Sequence, residues 1–224
     1  MITTARSIVI SGAVEGLVDE AVVRRLIRHV GAEPGPIYGK NGKAHLRRQV
    51  NGYNAAARWA PWIVLVDLNH DADCAPLLRD EWLPSPASQM CFRVAVRVVE
   101  AWLLADHQQI ARFLGVSAKQ IPPNPEEVAD PKGLMVELAR RSRRRDIRED
   151  MVPRPGSGRR VGPAYTARLI EFVEDTKTGW RPDVAATSAN SLRRCIECLR
   201  RLIRRLHEEA THENRQGIAI HSEG

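Results

Sequence analysis

Two kinds of apolar spacing alternate along the chain from Ser7 to Gly115. Ser7-Ile8-Val9-Ile10-Ser11-Gly12-Ala13-Val14 reads as a first strand, closed by Glu15-Gly16. Val18, Val22, Val23, Leu26, Ile27 and Val30 then recur at helical spacing, so they share one helix face. Gly31 and the Pro34-Gly35-Pro36 cluster stop that helix, and Ile37-Tyr38 reads as a short second strand. A glycine-and-lysine turn, Gly39 to Lys43, leads into a polar helix from Ala44 to Trp59. Trp62 to Leu68 is apolar throughout rather than alternating, which predicts a central parallel strand covered on both faces. A helix follows over Ala75 to Trp82, then a strand over Met90 to Val96. Glu100 to Asp106 and Gln108 to Leu114 read as helical. Alternation of strand and helix predicts an α/β domain with a parallel sheet of about four strands.

Beyond Ile121 the pattern is helical. Pro122-Pro123-Asn124-Pro125 reads as a linker, and Asp130-Pro131-Lys132 opens a helix with proline in its first turn. Helices are expected over Pro163 to Val173 and over Ser188 to about Glu209, the latter with Leu192, Ile196, Leu199, Ile203 and Leu206 in one stripe. The expected organisation is an α/β core over 1–120, a helical, arginine-rich extension over 121–210, and a disordered tail over 211–224. The extension concentrates charge: residues 140–160 hold nine arginines against three acids. With a net charge of +7 and a pI near 9.7, this favours a polyanionic partner, nucleic acid above all. Arg143, Arg144, Arg145, Arg159 and Arg160 are the expected phosphate contacts. No aromatic residue is interleaved with Arg140 to Arg160, so backbone contact is expected rather than base stacking.

Acids stand where two strands end. In an open α/β sheet, ligands bind beyond the carboxyl ends of the strands. Glu15 ends the first strand and Asp67 ends the third, with Asn69, His70, Asp71 and Asp73 close behind. Asp19 lies one helical turn beyond Glu15, and Glu20 adjoins it. Acids in a first helical turn are also favoured by the helix dipole alone. Carboxylate oxygens converging from different strand ends suit a hard cation such as Mg²⁺.

The stretches Val14-Glu15-Gly16-Leu17-Val18-Asp19-Glu20 and Val64-Leu65-Val66-Asp67-Leu68-Asn69 together resemble the signature of Toprim domains, found in topoisomerases, primases and OLD-type nucleases. Arg93 to Asp106, followed by Asp130-Pro131-Lys132, resembles a bacterial family of Toprim-like proteins of unassigned function. The two likenesses span roughly residues 7 to 135. They imply a Toprim-like, Rossmann-like sheet and Mg²⁺- or Mn²⁺-dependent phosphodiester chemistry. By that resemblance Glu15 and Asp67 are catalytic acids and metal ligands, Asp19 helps hold a second metal, and Lys132 contacts phosphate. It also implies, by analogy, an ATPase partner and a role in anti-phage defence. The departure is Asn69, where the pattern has Asp: a neutral amide in place of a charge weakens metal binding. Asp71 is the expected substitute, with Asp73 and His70 as further candidates. The alternative is a non-catalytic nucleic-acid-binding or regulatory module with a weakened site. Glu100 is a candidate site acid, with pairing to Arg97 the simpler role.

Cys195-Ile196-Glu197-Cys198 lies within the last helical stripe and reads as structural thiols rather than a zinc site. The chain runs directly into a strand without a secretory leader and contains no membrane-length apolar run, so a cytoplasmic protein is expected.

Overall fold

The computed structural model describes residues 7–69 and 71–220, with side chains described as far as Thr211. Four strands form one sheet: β1 (Val9–Val14), β2 (Glu33–Gly39), β3 (Trp62–Asp67) and β4 (Met90–Ala95). The order is β2-β1-β3-β4 and every pairing is parallel. The helices between strands are α1 (Leu17–His29), α2 (Lys43–Ala56) and α3 (Ala75–Trp82). After β4 come α4 (Val99–Leu104), α5 (His107–Leu114), α6 (Pro131–Arg140), α7 (Arg145–Met151), α8 (Tyr165–Glu174), α9 (Pro182–Ala185) and α10 (Asn190–Ile220). The fold is α/β and Rossmann-like.

Both faces of the sheet are covered, and the period of two along β3 shows how. Ile63 and Leu65 belong to a core shared with Val22 and Leu26 of α1. Val64 and Val66 point the other way, into a core with Leu46 and Val50 of α2 and Leu78 and Trp82 of α3. An uninterrupted apolar run is what a strand buried on two faces requires. The chain passes from β1 outward to β2, then crosses back to β3 on the far side of β1. Neighbouring strands β1 and β3 therefore flank the point where the connections reverse, and a crevice opens at their carboxyl ends.

The helices after Pro131 build no separate core. Met135, Ile147, Leu169, Phe172, Trp180 and Leu199 pack into the same apolar cluster as Ile10 and Leu26. Two indole N–H groups are satisfied inside it: Trp102 donates to Ser191 Oγ at 2.7 Å, and Trp180 donates to the Trp102 carbonyl at 3.1 Å. Asp106, fully buried at the start of α5, receives the Arg181 guanidinium through two bonds of 2.6 and 2.9 Å. That pair ties the segment before α9 to the sheet domain.

Two boundaries differ from the sequence expectation. Pro34-Gly35-Pro36, taken above as a break, lies inside β2, which runs over seven residues. β2 is an edge strand, where a missing N–H costs no ladder bond on the outer side. The last helix does not stop near Glu209, and the tail expected to be disordered from Thr211 is helical through Ile220. No proline and no glycine before Gly217 interrupts it. Residues 221–224 lie outside the described residues. No described helix is long and apolar enough to cross a membrane.

Candidate functional site

Four carboxylates meet at the carboxyl edge of the sheet, each delivered by a different segment. Glu15 follows β1, Asp19 lies in the first turn of α1, Asp67 ends β3 and Glu100 lies in the first turn of α4. Main-chain amides and one hydroxyl hold them. Glu15 Oε1 accepts the Asp67 N–H at 2.8 Å, which ties the end of β1 to the end of β3. Asp67 Oδ1 accepts the Val99 N–H at the start of α4, at 3.1 Å. Asp19 Oδ2 accepts the Gly16 N–H at 2.7 Å. Glu100 Oε1 accepts the Tyr165 hydroxyl at 3.2 Å. Asp19 is 8% exposed and Glu100 4%.

Burying like charges together has a measurable consequence. Burial, then repulsion from Glu100 and Glu15, pushes the Asp19 carboxyl up to about 7, against an opposing Gly16 hydrogen bond and the Lys132 charge. Burial, then Asp19, Glu100 and Glu15, pushes Asp67 well above the usual carboxylate range. Burial also raises Glu15, against the Asp67 amide and the Lys43 ammonium. The cluster is thus short of positive charge and takes up protons to compensate.

Two lysines stand on either side. Lys132 Nζ lies 3.7 Å from Glu100 Oε1 and 5.6 Å from the Tyr165 ring centroid. Lys43 Nζ pairs with Asp71 and donates to the Asp67 carbonyl. Its position follows from the turn before α2. Gly39 has φ +88° and lies so close to β1 that a Cβ would fall 2.2 Å from the Val14 carbonyl oxygen. Only glycine fits there. Lys40 N–H then bonds the Val14 carbonyl and Gly42 N–H the Glu15 carbonyl, so the turn folds over the end of β1.

The remaining predicted residues fall elsewhere. Glu20 faces the α1 surface, where Arg24 (2.8 Å) and Lys40 (3.0 Å) pair with it. Asn69 has φ +51°, a conformation asparagine tolerates better than most residues. Its N–H bonds the Arg97 carbonyl and its carbonyl accepts the Arg97 guanidinium. Asn69 is therefore fixed by its backbone, and its side chain has no hydrogen bond among the described residues. Asp71 is half-exposed and lies near enough to Glu15 to raise its pKa. Asp73 is exposed and lines a different cleft. His70 lies outside the described residues. Glu100 pairs with Lys132 and Tyr165, not with Arg97, because α4 turns it toward the acids. In the basic region, Arg144 pairs with Asp146, Arg145 with Glu149 and Arg160 with Asp130. Arg143 and Arg159 are exposed and have no ion pair among the described residues. The local excess of charge thus reaches solvent only in part.

Sequence reasoning missed Lys43 and Tyr165 as members of the site. Lys43 had a signal: a Gly-Lys-Asn-Gly-Lys turn directly after a strand faces the crevice of an α/β sheet. Tyr165 had none, because it arrives from a helix 65 residues after Glu100.

The donor set is all carboxylate oxygen, which suits a hard divalent cation. Among the described residues, however, no group of three Asp, Glu, His or Cys side chains is arranged so that it could hold a metal ion. Glu15, Asp19 and Asp67 each have one carboxylate oxygen on a main-chain amide, which leaves the other oxygen of each without a main-chain partner. No family model, no curated protein and no solved structure matches the chain.

Proposed function

We propose that the chain is a Mg²⁺- or Mn²⁺-dependent, Toprim-like nuclease acting on nucleic acid. One observation carries the reading: four carboxylates from four segments, Asp19 and Glu100 buried and Glu15 and Asp67 half-buried, meet at the switch point of a parallel sheet, with a deficit of positive charge. Structural acids are rarely buried in such numbers without counter-charge. Glu15, Asp19 and Asp67 would hold the cation, with Glu100 completing the acidic wall. Bound there, a divalent cation supplies Lewis-acid polarisation of a phosphoryl oxygen and an activated water. The chain's own contribution is positional. Lys43 and Lys132 flank the crevice and attract a phosphate backbone, and Glu15 and Asp67 are mutually fixed through the 2.8 Å amide bond. Tyr165 holds Glu100 against rotation. The net charge of +7 favours a polyanionic substrate over a small neutral one.

The test is cleavage of DNA and structured RNA with Mg²⁺ or Mn²⁺. Glu15→Gln and Asp67→Asn are expected to abolish cutting, and equal cutting by wild type and both variants refutes the assignment.

A second reading is a non-catalytic nucleic-acid-binding or regulatory module, favoured by Asn69 and by the lack, among the described residues, of three side chains arranged to hold a metal ion. Asn69→Asp separates the two. On the nuclease reading the wild type already cuts, and the variant binds metal at least as tightly. On the module reading the wild type is inert, and cutting appears only in the variant or not at all. An ATPase partner and a defence role remain proposals by analogy, tested by co-purification with a candidate ATPase.

A further inference from the structure

A cleft of about 490 Å³ runs along the outer edge of β4, away from the four carboxylates. β4 pairs with β3 on one side only, so its other edge is free. Residues of α3 and α10 wall the opening. Arg93 and Arg97 reach it from β4 and the residues just after it, and Arg194 and Arg201 from α10. The last two are seven residues apart, which is two helical turns, so they stand on one face.

These guanidinia are undercompensated. Two acids line the cleft, Asp73 and Glu126. Glu126 is already engaged at the start of α10, where it accepts from the N–H groups of Asn190 and Ser191 at 2.9 Å and from the Ser191 hydroxyl. Arg97 uses one N–H on the Asn69 carbonyl. Arg194 and Arg201 have neither ion pair nor hydrogen bond among the described residues. The Nε of Arg93 is buried with no hydrogen-bond partner, a state that proteins rarely leave unexplained. Leu68, Phe92 and Val96 give the cleft an apolar stretch, beside the polar Asn190 and Ser191 and a fifth guanidinium, Arg79, which pairs with Asp80.

We propose that this cleft binds a free nucleotide, with its phosphates on the guanidinia and its base or sugar against the apolar lining. The volume lies within the range of about 300–1,000 Å³ usual for small-ligand sites. An inorganic anion would leave the apolar lining unused. An uncharged apolar ligand would desolvate the Arg194 and Arg201 guanidinia without compensation. The site is independent of the nuclease reading, since its binding is measured without cleavage. Leu68 and Asp73 line the cleft and stand on either side of Asp71 in the sequence, and Asp71 pairs with Lys43.

The probes are ATP, GTP, CTP and UTP, with adenosine and a 5′-phosphorylated single-stranded oligonucleotide as comparisons, titrated calorimetrically against the full chain. At least one triphosphate is expected to bind with Kd below ~1 mM, and adenosine at least about tenfold more weakly. Arg194→Glu combined with Arg201→Glu is expected to weaken triphosphate binding by more than about tenfold. Both side chains are exposed, so the fold is expected to survive, as checked by circular dichroism. If the double variant melts early, Arg194→Gln combined with Arg201→Gln takes its place, with the same expectation in direction. Three results overturn the proposal: no triphosphate binding, binding that the variants retain in full, or binding of the oligonucleotide alone. The last assigns the arginines to a strand path instead.

Discussion

Asp19 links the chemistry of the acidic crevice to something measured without a substrate. Its carboxyl has an ordinary pKa of 3.8 and is pushed up to about 7 in the fold, by burial first and by Glu100 and Glu15 next. A raised folded pKa means that the native state holds a proton the unfolded chain has released. That contribution to stability is complete below the unfolded value and is lost as pH rises through the folded one. Between pH 5 and pH 7 a single group with these two values gives up about 2 kcal/mol of folding stability. Asp67 and Glu15, raised in the same direction, add to the loss. For a chain of this size, 2 kcal/mol corresponds to roughly 4–8 °C in Tm. The window stops at pH 7 because Cys198, held down to about 7 by its hydrogen bond with Cys91 and by nearby arginines, contributes with the opposite sign above that. The perturbation is Asp19→Asn, which keeps an acceptor for the Gly16 N–H and removes the charge. Urea unfolding in EDTA at pH 5 and pH 7 reads the result. Wild type should be less stable at pH 7 than at pH 5, and the variant should lose much of that difference and exceed wild type at pH 7. A wild type that gains stability over this interval, or a variant weaker than wild type at pH 7, refutes the reasoning.

Millimolar Mg²⁺ is expected to raise the Tm of wild type at pH 8, by mass action on a folded-state site, and to leave Asp67→Asn unmoved. Equal shifts in both proteins would remove Asp67 from the site. Asp106→Ala removes the buried acceptor of the Arg181 N–H and of its partly exposed guanidinium and should cost about 1–3 kcal/mol in urea unfolding, whereas a loss below about 0.5 kcal/mol would make the pair ornamental. Among Cys91, Cys195 and Cys198, iodoacetamide should label Cys198 first, with a rate midpoint near pH 7. Burial holds Cys195 at about 12 and Cys91 well above its ordinary value, so faster labelling of either would contradict the arrangement.

Chain-local physics made much of this fold legible. The unbroken apolar run from Ile63 to Val66 determined a central strand by itself, because a strand covered on both faces has no position for a polar side chain. The helical spacing of Val22, Leu26 and Ile27 determined which face of α1 is buried. Glu15 and Asp67 were found by a rule that needs only strand direction. What sequence alone misread was set by neighbours. Pro34 and Pro36 are tolerated within β2 because it is an edge strand, and edge status depends on strand order rather than composition. Arg160 looked like part of a free basic surface until folding set Asp130 beside it, whereas Arg145 and Glu149 are an i,i+4 pair that helical spacing alone provides. Glu100 sat in the sequence beside Arg97, yet the fold brought the Tyr165 hydroxyl to it and set it near Asp19 and Asp67. Local spacing determined which elements form and which way they face. Only the tertiary structure decided which charges distant in sequence meet, because such partners are chosen by distance through space and by burial, and neither is a property of a stretch of sequence.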